Sequence, residues 1–374
     1  MQKIGYILKD IAETFYELIS IPSPSGSELA VAEYIRKYLE EIGINSYFDK
    51  AGRLNRSNSG NLIVKLKGSG KTILFVAHMD TVEIGDRKIK AVTKKGIIKS
   101  DGKTILGADN KAGVAPLLDA LGKISKEKER NNIIAVFSTR EEKGRMGVEF
   151  LNLKDNIDFG FVIDGSETAG GFVDRTRGYL LFGLEIYGKE AHAANDPEKG
   201  VNAIKIAGII LSLLKLGSDE SGITMNIGKL SGGRQANVVP DYVVMEGEIR
   251  GYEKGLMDRR FEGMEKIVAE ICERYGAKYK LTLDKGELMK PFSSRNLKIL
   301  NYAKKAAGRA GVKFSVSAIK GTTEANVLVD KGYPILGISR GGGFPHSKDE
   351  YIKIEDMEAV SRLLVELMKK NGSH

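Results

Sequence analysis

Four apolar stretches of this 374-residue chain end in residues able to bind a metal ion. KTILFVAHMD carries His78 and Asp80, NNIIAVFSTREE carries Glu141 and Glu142, DFGFVID ends in Asp164, and YPILGIS leads through a glycine-rich loop to His346. Side chains alternate along a strand, so His78 and Asp80 share a face, and a carboxylate so placed can hold the second ring nitrogen of a metal-bound imidazole. Glu141 and Glu142 are adjacent and point in different directions, which suits one to bind metal and the other to handle protons. An open α/β sheet binds ligands outside the carboxyl ends of its strands, so these scattered residues are expected in one crevice.

Composition bounds what carries them. At 374 residues and 42% hydrophobic, the chain has apolar material for two cores, and two domains are expected. The N-terminal stretch breaks its apolar residues with Lys, Asp and Glu at helical spacing and lacks the uninterrupted apolar region and cleavage site of a secretory signal. No apolar run approaches the roughly 20 residues needed to span a bilayer, so a cytoplasmic protein without membrane attachment is expected. The net charge is +9, but Lys and Arg are interleaved with Asp and Glu in helical stretches such as KISKEKER and LMDRRFEGMEK. They read as solvated faces and not as a nucleic-acid stripe. Cys272, the single cysteine, lies in the helical pattern KIVAEICERY and reads as a small buried hydrophobe.

The predicted element order separates two styles. DIAETFYELISI and SELAVAEYIRKYLEEIG read as amphipathic helices, the second with Ser27 as N-cap and Gly43 as its stop. NLIVKLKG, KTILFVAHM, NNIIAVFST and DFGFVID read as strands, interleaved with a helix opening just after Asp109 and a helical turn around MGVEFLNL. Such alternation predicts an α/β domain with a mainly parallel sheet. From about Arg177 the order becomes strand, helix, two strands, long helix and strand, the β-α-β-β-α-β succession of a ferredoxin-like α+β domain. The helices NLKILNYAKKAAGRAG and TEANVLVDKG then resume the first style. The expected division is therefore 1–176 and 291–374 as one discontinuous domain, with 177–290 inserted into it. The terminal NGSH is expected to fray, with His374 carrying nothing.

Taken in order, SPSGSE, AHMDTV, TILGADNKAGVA, STREEKG, VIDGSE, GKEAHAA, ANVVPD and GGGFPHS resemble the M20 family of metallopeptidases, and most closely its peptidase T-like branch. The resemblance covers nearly the whole chain. It implies that the insertion is a lid and dimerisation domain, and that two zinc ions per subunit are the cofactors, with cobalt or manganese also acceptable to such ligands. Carried over motif by motif, His78 and Asp164 bind one ion, Glu142 and His346 the other, and Asp109 bridges them. Asp80 orients His78, and Glu141 is the general base. His192 reaches across a homodimer interface to help stabilise the oxyanion. Asn237 and Arg250 bind substrate, Arg250 through a bidentate pair with a carboxylate. The chain has Asn110 where the family commonly has a second Asp. The implied reaction is removal of the N-terminal residue from short peptides. A deacylase or carboxypeptidase acting on N-acyl amino acids is the alternative, because the same centre serves both. An inactive peptide-binding scaffold would have lost a ligand or the base, and none is lost.

Two further motifs point elsewhere. KGSGKT ends like a phosphate-binding loop, but Lys65 stands where the first glycine belongs and a strand follows, so a hairpin turn is expected. Gly337 to Gly341 matches G-x-S-x-G after a strand, but glycines follow where the nucleophile elbow needs a helix. Those glycines are expected to leave room for substrate backbone beside His346.

Overall fold

In the computed structural model, residues 9–83, 87–166, 168–284, 292–293 and 297–370 are described. The terminal NGSH with His374, and the expected end of the insertion near Lys290, lie outside them. The chain divides into two compact units, Met1–Arg175 with Ser294–His374, and Thr176–Ser293.

The first unit is built on a mixed sheet. Its centre is parallel: the strand Asn132–Ser138 pairs with Thr72–His78, which pairs with Phe159–Ile163, which pairs with Ile335–Ile338. Both flanks are antiparallel, with Leu62–Leu66 against Asn132–Ser138 on one side and Phe172–Thr176 against Ile335–Ile338 on the other. The expectation of a mainly parallel sheet thus holds for the four central strands and is corrected at the edges. A short strand such as LIVKL carries no mark of its direction, because its apolar content reports burial alone.

The same pairing corrects the reading of KGSGKT. The strands on either side of it are not neighbours, since Asn132–Ser138 lies between them, so the segment is a crossing connection and not a hairpin turn. Its glycines answer to packing: a Cβ on Gly68 would stand 2.2 Å from the Asn131 carbonyl oxygen. A small three-stranded sheet, Ala91–Lys94, Ile97–Ser100 and Tyr351–Lys353, completes the unit.

The helix Ala108–Ser125 is buried nearly all round, as a helix without a polar face must be. It packs between Ile11–Ser20 and the C-terminal helix Ile354–Met368. The second helix starts at Leu29, so Glu28 and not Ser27 occupies the cap position. The Glu28 carboxylate accepts from Gly26 N at 2.8 Å and Arg140 N at 3.0 Å, and the Ser57 hydroxyl donates to it at 2.5 Å. Gly43 follows the helix at φ +80°, the left-handed geometry that ends helices.

The second unit has its own core of Leu180, Phe182, Ile186, Ile206, Ile210, Met245, Val268 and Cys272, among others. Its antiparallel sheet places the strand Gly178–Tyr187 between Tyr242–Gly251 and Lys278–Leu283, with Thr224–Gly232 beyond Tyr242–Gly251. The helices Ala203–Leu213 and Lys254–Arg274 pack against it.

Phe161 sits at the centre of the first core, its ring 5.7 Å from Phe75 and 6.4 Å from Phe172. Phe161→Ala is expected to cost about 3–5 kcal/mol, measured as a lowered denaturant midpoint with an unchanged slope.

Candidate metal centre

The four parallel strands end side by side. In register, His78 lies opposite Ser138 and Ile338 opposite Ile163. The residues just beyond these ends, Asp80, Glu141, Glu142, Asp164 and Arg340, are thereby brought to one edge of the sheet. Asp109 reaches the same place from the start of the helix Ala108–Ser125, where Asp109 and Asn110 have non-helical backbone angles. His346 comes from the loop before Tyr351–Lys353.

Three overlapping groups form: His78, Asp109 and Asp164; Asp109, Glu142 and His346; His78, Glu141 and Glu142, with one ligand atom from each within 4.8 Å of the others in its group. The two carboxylate oxygens of Asp109 face opposite ways. Oδ1 lies 3.3 Å from His78 Nε2, and Oδ2 lies 3.4 Å from His346 Nε2. His346 Nε2 is also 2.9 Å from Glu142 Oε1. All five residues expected to bind metal, and Glu141, are gathered within one unit.

The anchoring contacts are specific. The Asp80 carboxylate accepts from the backbone N–H of Glu141 at 2.9 Å, from that of Glu142 at 3.1 Å, and from the Ser25 hydroxyl at 2.5 Å. Its Oδ1 is 3.4 Å from His78 Nδ1, while the Asp80 backbone oxygen is nearer to that nitrogen, at 3.1 Å. Asp80 therefore holds His78 through its backbone as well as its side chain, and it also fixes the Glu141-Glu142 turn. Glu350 does the same for the loop before Asp109: its carboxylate accepts from Leu106 N at 2.7 Å, Gly107 N at 2.8 Å and Asp109 N at 2.8 Å.

Burial and crowding perturb several of the protons here. For Glu141, burial first and then the Asp164 and Glu142 carboxylates raise the pKa well above the usual range. Burial and Asp109 push Asp164 up to about 6. Burial opposes the charged form of Asp109, yet Arg340, His346 and His78 outweigh it and hold the carboxyl well below its ordinary range. Hydrogen bonding to Asp109 and Glu142 raises His346 to about 10.

These residues suit divalent cations. Asp109 Oδ1 is buried and lacks hydrogen-bond geometry to any partner, although His78 Nε2 faces it at 3.3 Å. In a tetrahedral site with bonds of about 2.0–2.1 Å, neighbouring ligand atoms lie about 3.3 Å apart. Imidazole and carboxylate donors are those that zinc, cobalt and manganese accept.

Several participants escaped the sequence reading. Lys111, buried to 1% exposure, donates to Ser23 Oγ at 2.6 Å and to the Met79 carbonyl; burial lowers it to about 7. Glu324, also 1% exposed, opens the helix Glu324–Asp330. Glu350 stands four residues after His346 in HSKDE, and Lys111 two after Asp109 in ADNKAG, so both were within reach of a motif reading. Glu324 gives no local signal. The glycines after Arg340 correct another expectation: a Cβ on Gly341 would meet Asp356 at 2.7 Å, and one on Gly342 the Tyr351 oxygen at 2.3 Å. They make room for the protein's own chain.

In the second unit, His192 and Asn237 are drawn together, with Ala193 N donating to the Asn237 carbonyl at 3.0 Å and His192 bridging to Val238. The His192 Nδ1 accepts from Ala194 N and Asn195 N, both at 3.2 Å. That leaves the ring proton on Nε2, where it can be donated. Arg250 is engaged bidentately by Glu248, at 2.9 and 3.0 Å, and lies over the Tyr179 ring at 5.4 Å.

The model of Peptidase family M20/M25/M40 matches residues 74–370. The chain belongs to this family. The Bacillus subtilis protein YqjE is 30% identical over 97% of this chain and 98% of its own length. Among solved structures, the aminopeptidase PepT of Bacillus cereus superposes with a TM-score of 0.89 at 29% identity, covering 96% of this chain and 98% of that one. A Staphylococcus aureus tripeptidase gives the same TM-score and identity over 96% and 97% of the two chains.

Glu324 supplies a pH test. Burial pushes its carboxyl from 4.5 up to about 7, against the opposing pull of His78 and of the neighbouring Ser138 hydroxyl, and neither carboxylate oxygen reaches hydrogen-bond geometry with a partner. Between pH 4.5 and 7 the folded chain keeps a proton that the unfolded chain releases. Stability of metal-stripped protein therefore falls as pH rises through that window, by on the order of 3 kcal/mol from this residue. Glu324→Gln should flatten that part of the stability-pH curve, measured by denaturant unfolding.

Proposed function

We propose that the chain is a dinuclear metallopeptidase that releases the N-terminal residue from short peptides, as a tripeptidase-like member of the M20 family. The observation that carries this reading is Asp109, whose two oxygens face two separate ligand groups while Glu141 stands beside both. In this reading His78 and Asp164 hold one ion, Glu142 and His346 the other, and Asp109 is shared. Zinc is the expected metal, with cobalt or manganese able to replace it. Bound there, such ions would supply Lewis acidity toward the scissile carbonyl and lower the pKa of a bound water.

The protein's own part follows from burial and charge. Glu141 is the carboxylate that takes the proton from water and returns it to the departing amine; its burial and the nearby Asp164 and Glu142 carboxylates favour the form that holds a proton. Asp80 keeps His78 and the Glu141-Glu142 turn in place. His192, with Nε2–H free to donate, is assigned to the oxyanion and acts on the partner subunit of a homodimer. Asn237 and Arg250 are assigned to substrate; Arg250 exchanges Glu248 for a peptide carboxylate, a bidentate partner of the same kind. The antiparallel order of the second unit's strands supports its reading as a ferredoxin-like lid and dimerisation domain at 177–290, set into a catalytic domain of 1–176 and 291–374. Among the described residues no helix is long and apolar enough to cross a membrane, in keeping with a cytoplasmic enzyme.

Glu141→Ala should lower turnover of tripeptides by about 10²–10⁴-fold while metal content stays near two equivalents. Retained activity would remove the residue from its role. Dipeptides and N-acetyl amino acids assayed alongside decide between a tripeptidase and a deacylase or carboxypeptidase. Mixed dimers of His192→Ala and Glu141→Ala subunits should regain activity that neither homodimer has, and an inactive mixture would place His192 outside the partner's site.

A further inference from the structure

Arg340, which follows the strand Ile335–Ile338 within the G-x-S-x-G match, is among the largest fully buried side chains, at 1% exposure. A buried cation must be paired, and the pairing chosen here is unusual. Its Nη2 lies 3.4 Å from Asp109 Oδ2, Nη1 donates to the Gly341 carbonyl at 3.1 Å, and the buried Nε has no hydrogen-bond partner. Its backbone N–H donates to Gly165 O at 3.0 Å, and Gly341 follows at φ +84°. The guanidinium is therefore fixed.

The oxygen it addresses is the one on the His346 side. Asp109 Oδ2 lies 3.4 Å from His346 Nε2, while Oδ1 faces His78. The two halves of the centre consequently differ. In the His78 half a buried imidazole faces the carboxylate oxygen, and Arg340 acts there through its charge on Asp164. The His346 half has a half-exposed imidazole, 49% accessible, and a carboxylate oxygen already claimed by a permanent positive charge.

We propose that Arg340 competes with a metal ion for Asp109 Oδ2 and so makes the His346 half the labile one of the two. This inference rests on the dinuclear reading above and adds a cause within this chain. A guanidinium cannot lose its charge near neutral pH, so its repulsion of a second cation is constant, and inside the protein it is screened far less than at a surface. The same carboxylate cannot give its full charge to both. Arg340 does not touch substrate in this scheme and is a positioning and electrostatic residue.

The test is stepwise metal removal from the intact protein, with zinc counted by elemental analysis against a graded series of chelator. The wild-type protein should lose one equivalent at chelator activities at least about tenfold below those needed for the second. His346→Ala should lack the labile equivalent and keep the tight one. Arg340→Met, which keeps length and apolar bulk, should tighten the labile equivalent by about tenfold or more and leave the tight one within a few-fold. Arg340→Lys keeps a charge and should stay nearer the wild type.

Simultaneous loss of both equivalents from the wild type overturns the proposal without need of any variant. So does a looser second equivalent in folded Arg340→Met. Binding of fewer than two equivalents by fully loaded wild type would instead overturn the dinuclear reading itself.

Discussion

Like charges crowded at the ends of parallel strands are the constraint on which this centre depends. Asp80, Asp109, Glu141, Glu142 and Asp164 all arrive at one sheet edge, and several are nearly or wholly buried. Ionised together and without cations they would repel one another in a medium that screens poorly. The metal-free chain answers by favouring the protonated forms: Glu141 is raised well above the usual carboxyl range, Asp164 up to about 6 and His346 to about 10. Divalent ions remove the need for each of those protons, so binding of metal and release of protons are one linked process.

Holding such a cluster open requires anchors that do not themselves bind metal. Two carboxylates serve as backbone staples. Asp80 ties the Glu141-Glu142 turn to the His78 strand, and Glu350 draws together the N–H groups of Leu106, Gly107 and Asp109. Hydrogen bonds from backbone N–H to a carboxylate are charge-assisted and stronger than neutral ones. Each staple joins segments distant in sequence, and so ties the site's geometry to the sheet and the C-terminal helix.

The parts legible in the sequence were those in which a local pattern reports a local fact. Apolar strands ending in His or acidic residues pointed to His78, Glu141, Glu142, Asp164 and His346, Asp109 came from the family resemblance alone, and all six do converge. The crossing of strands was less legible. LIVKL at Leu62–Leu66 lies antiparallel to Asn132–Ser138, a fact set by where the chain returns and not by its own residues. Arg340 and Glu324 were illegible for a related reason: a buried charge is identified by its neighbours in space, and those neighbours lie far off in sequence. The role of the glycines at 341 and 342 was misjudged likewise, since their crowding comes from Asp356 and Tyr351.

The first unit is also discontinuous, with its C-terminal segment supplying the strand Ile335–Ile338, the loop with Arg340 and His346, Glu350, and the helix Ile354–Met368. That last helix packs on Ala108–Ser125, which opens with Asp109. During synthesis, which runs from the N-terminus, the earlier segment must emerge with one side of its central helix uncovered and with Leu106, Gly107 and Asp109 lacking their acceptor. The whole of the second unit is made before either lack is remedied. A chain not yet extended past the second unit would thus hold His78, Asp109, Glu141, Glu142 and Asp164 without His346 or Arg340, so the centre is completed only when the segment that follows that unit has emerged.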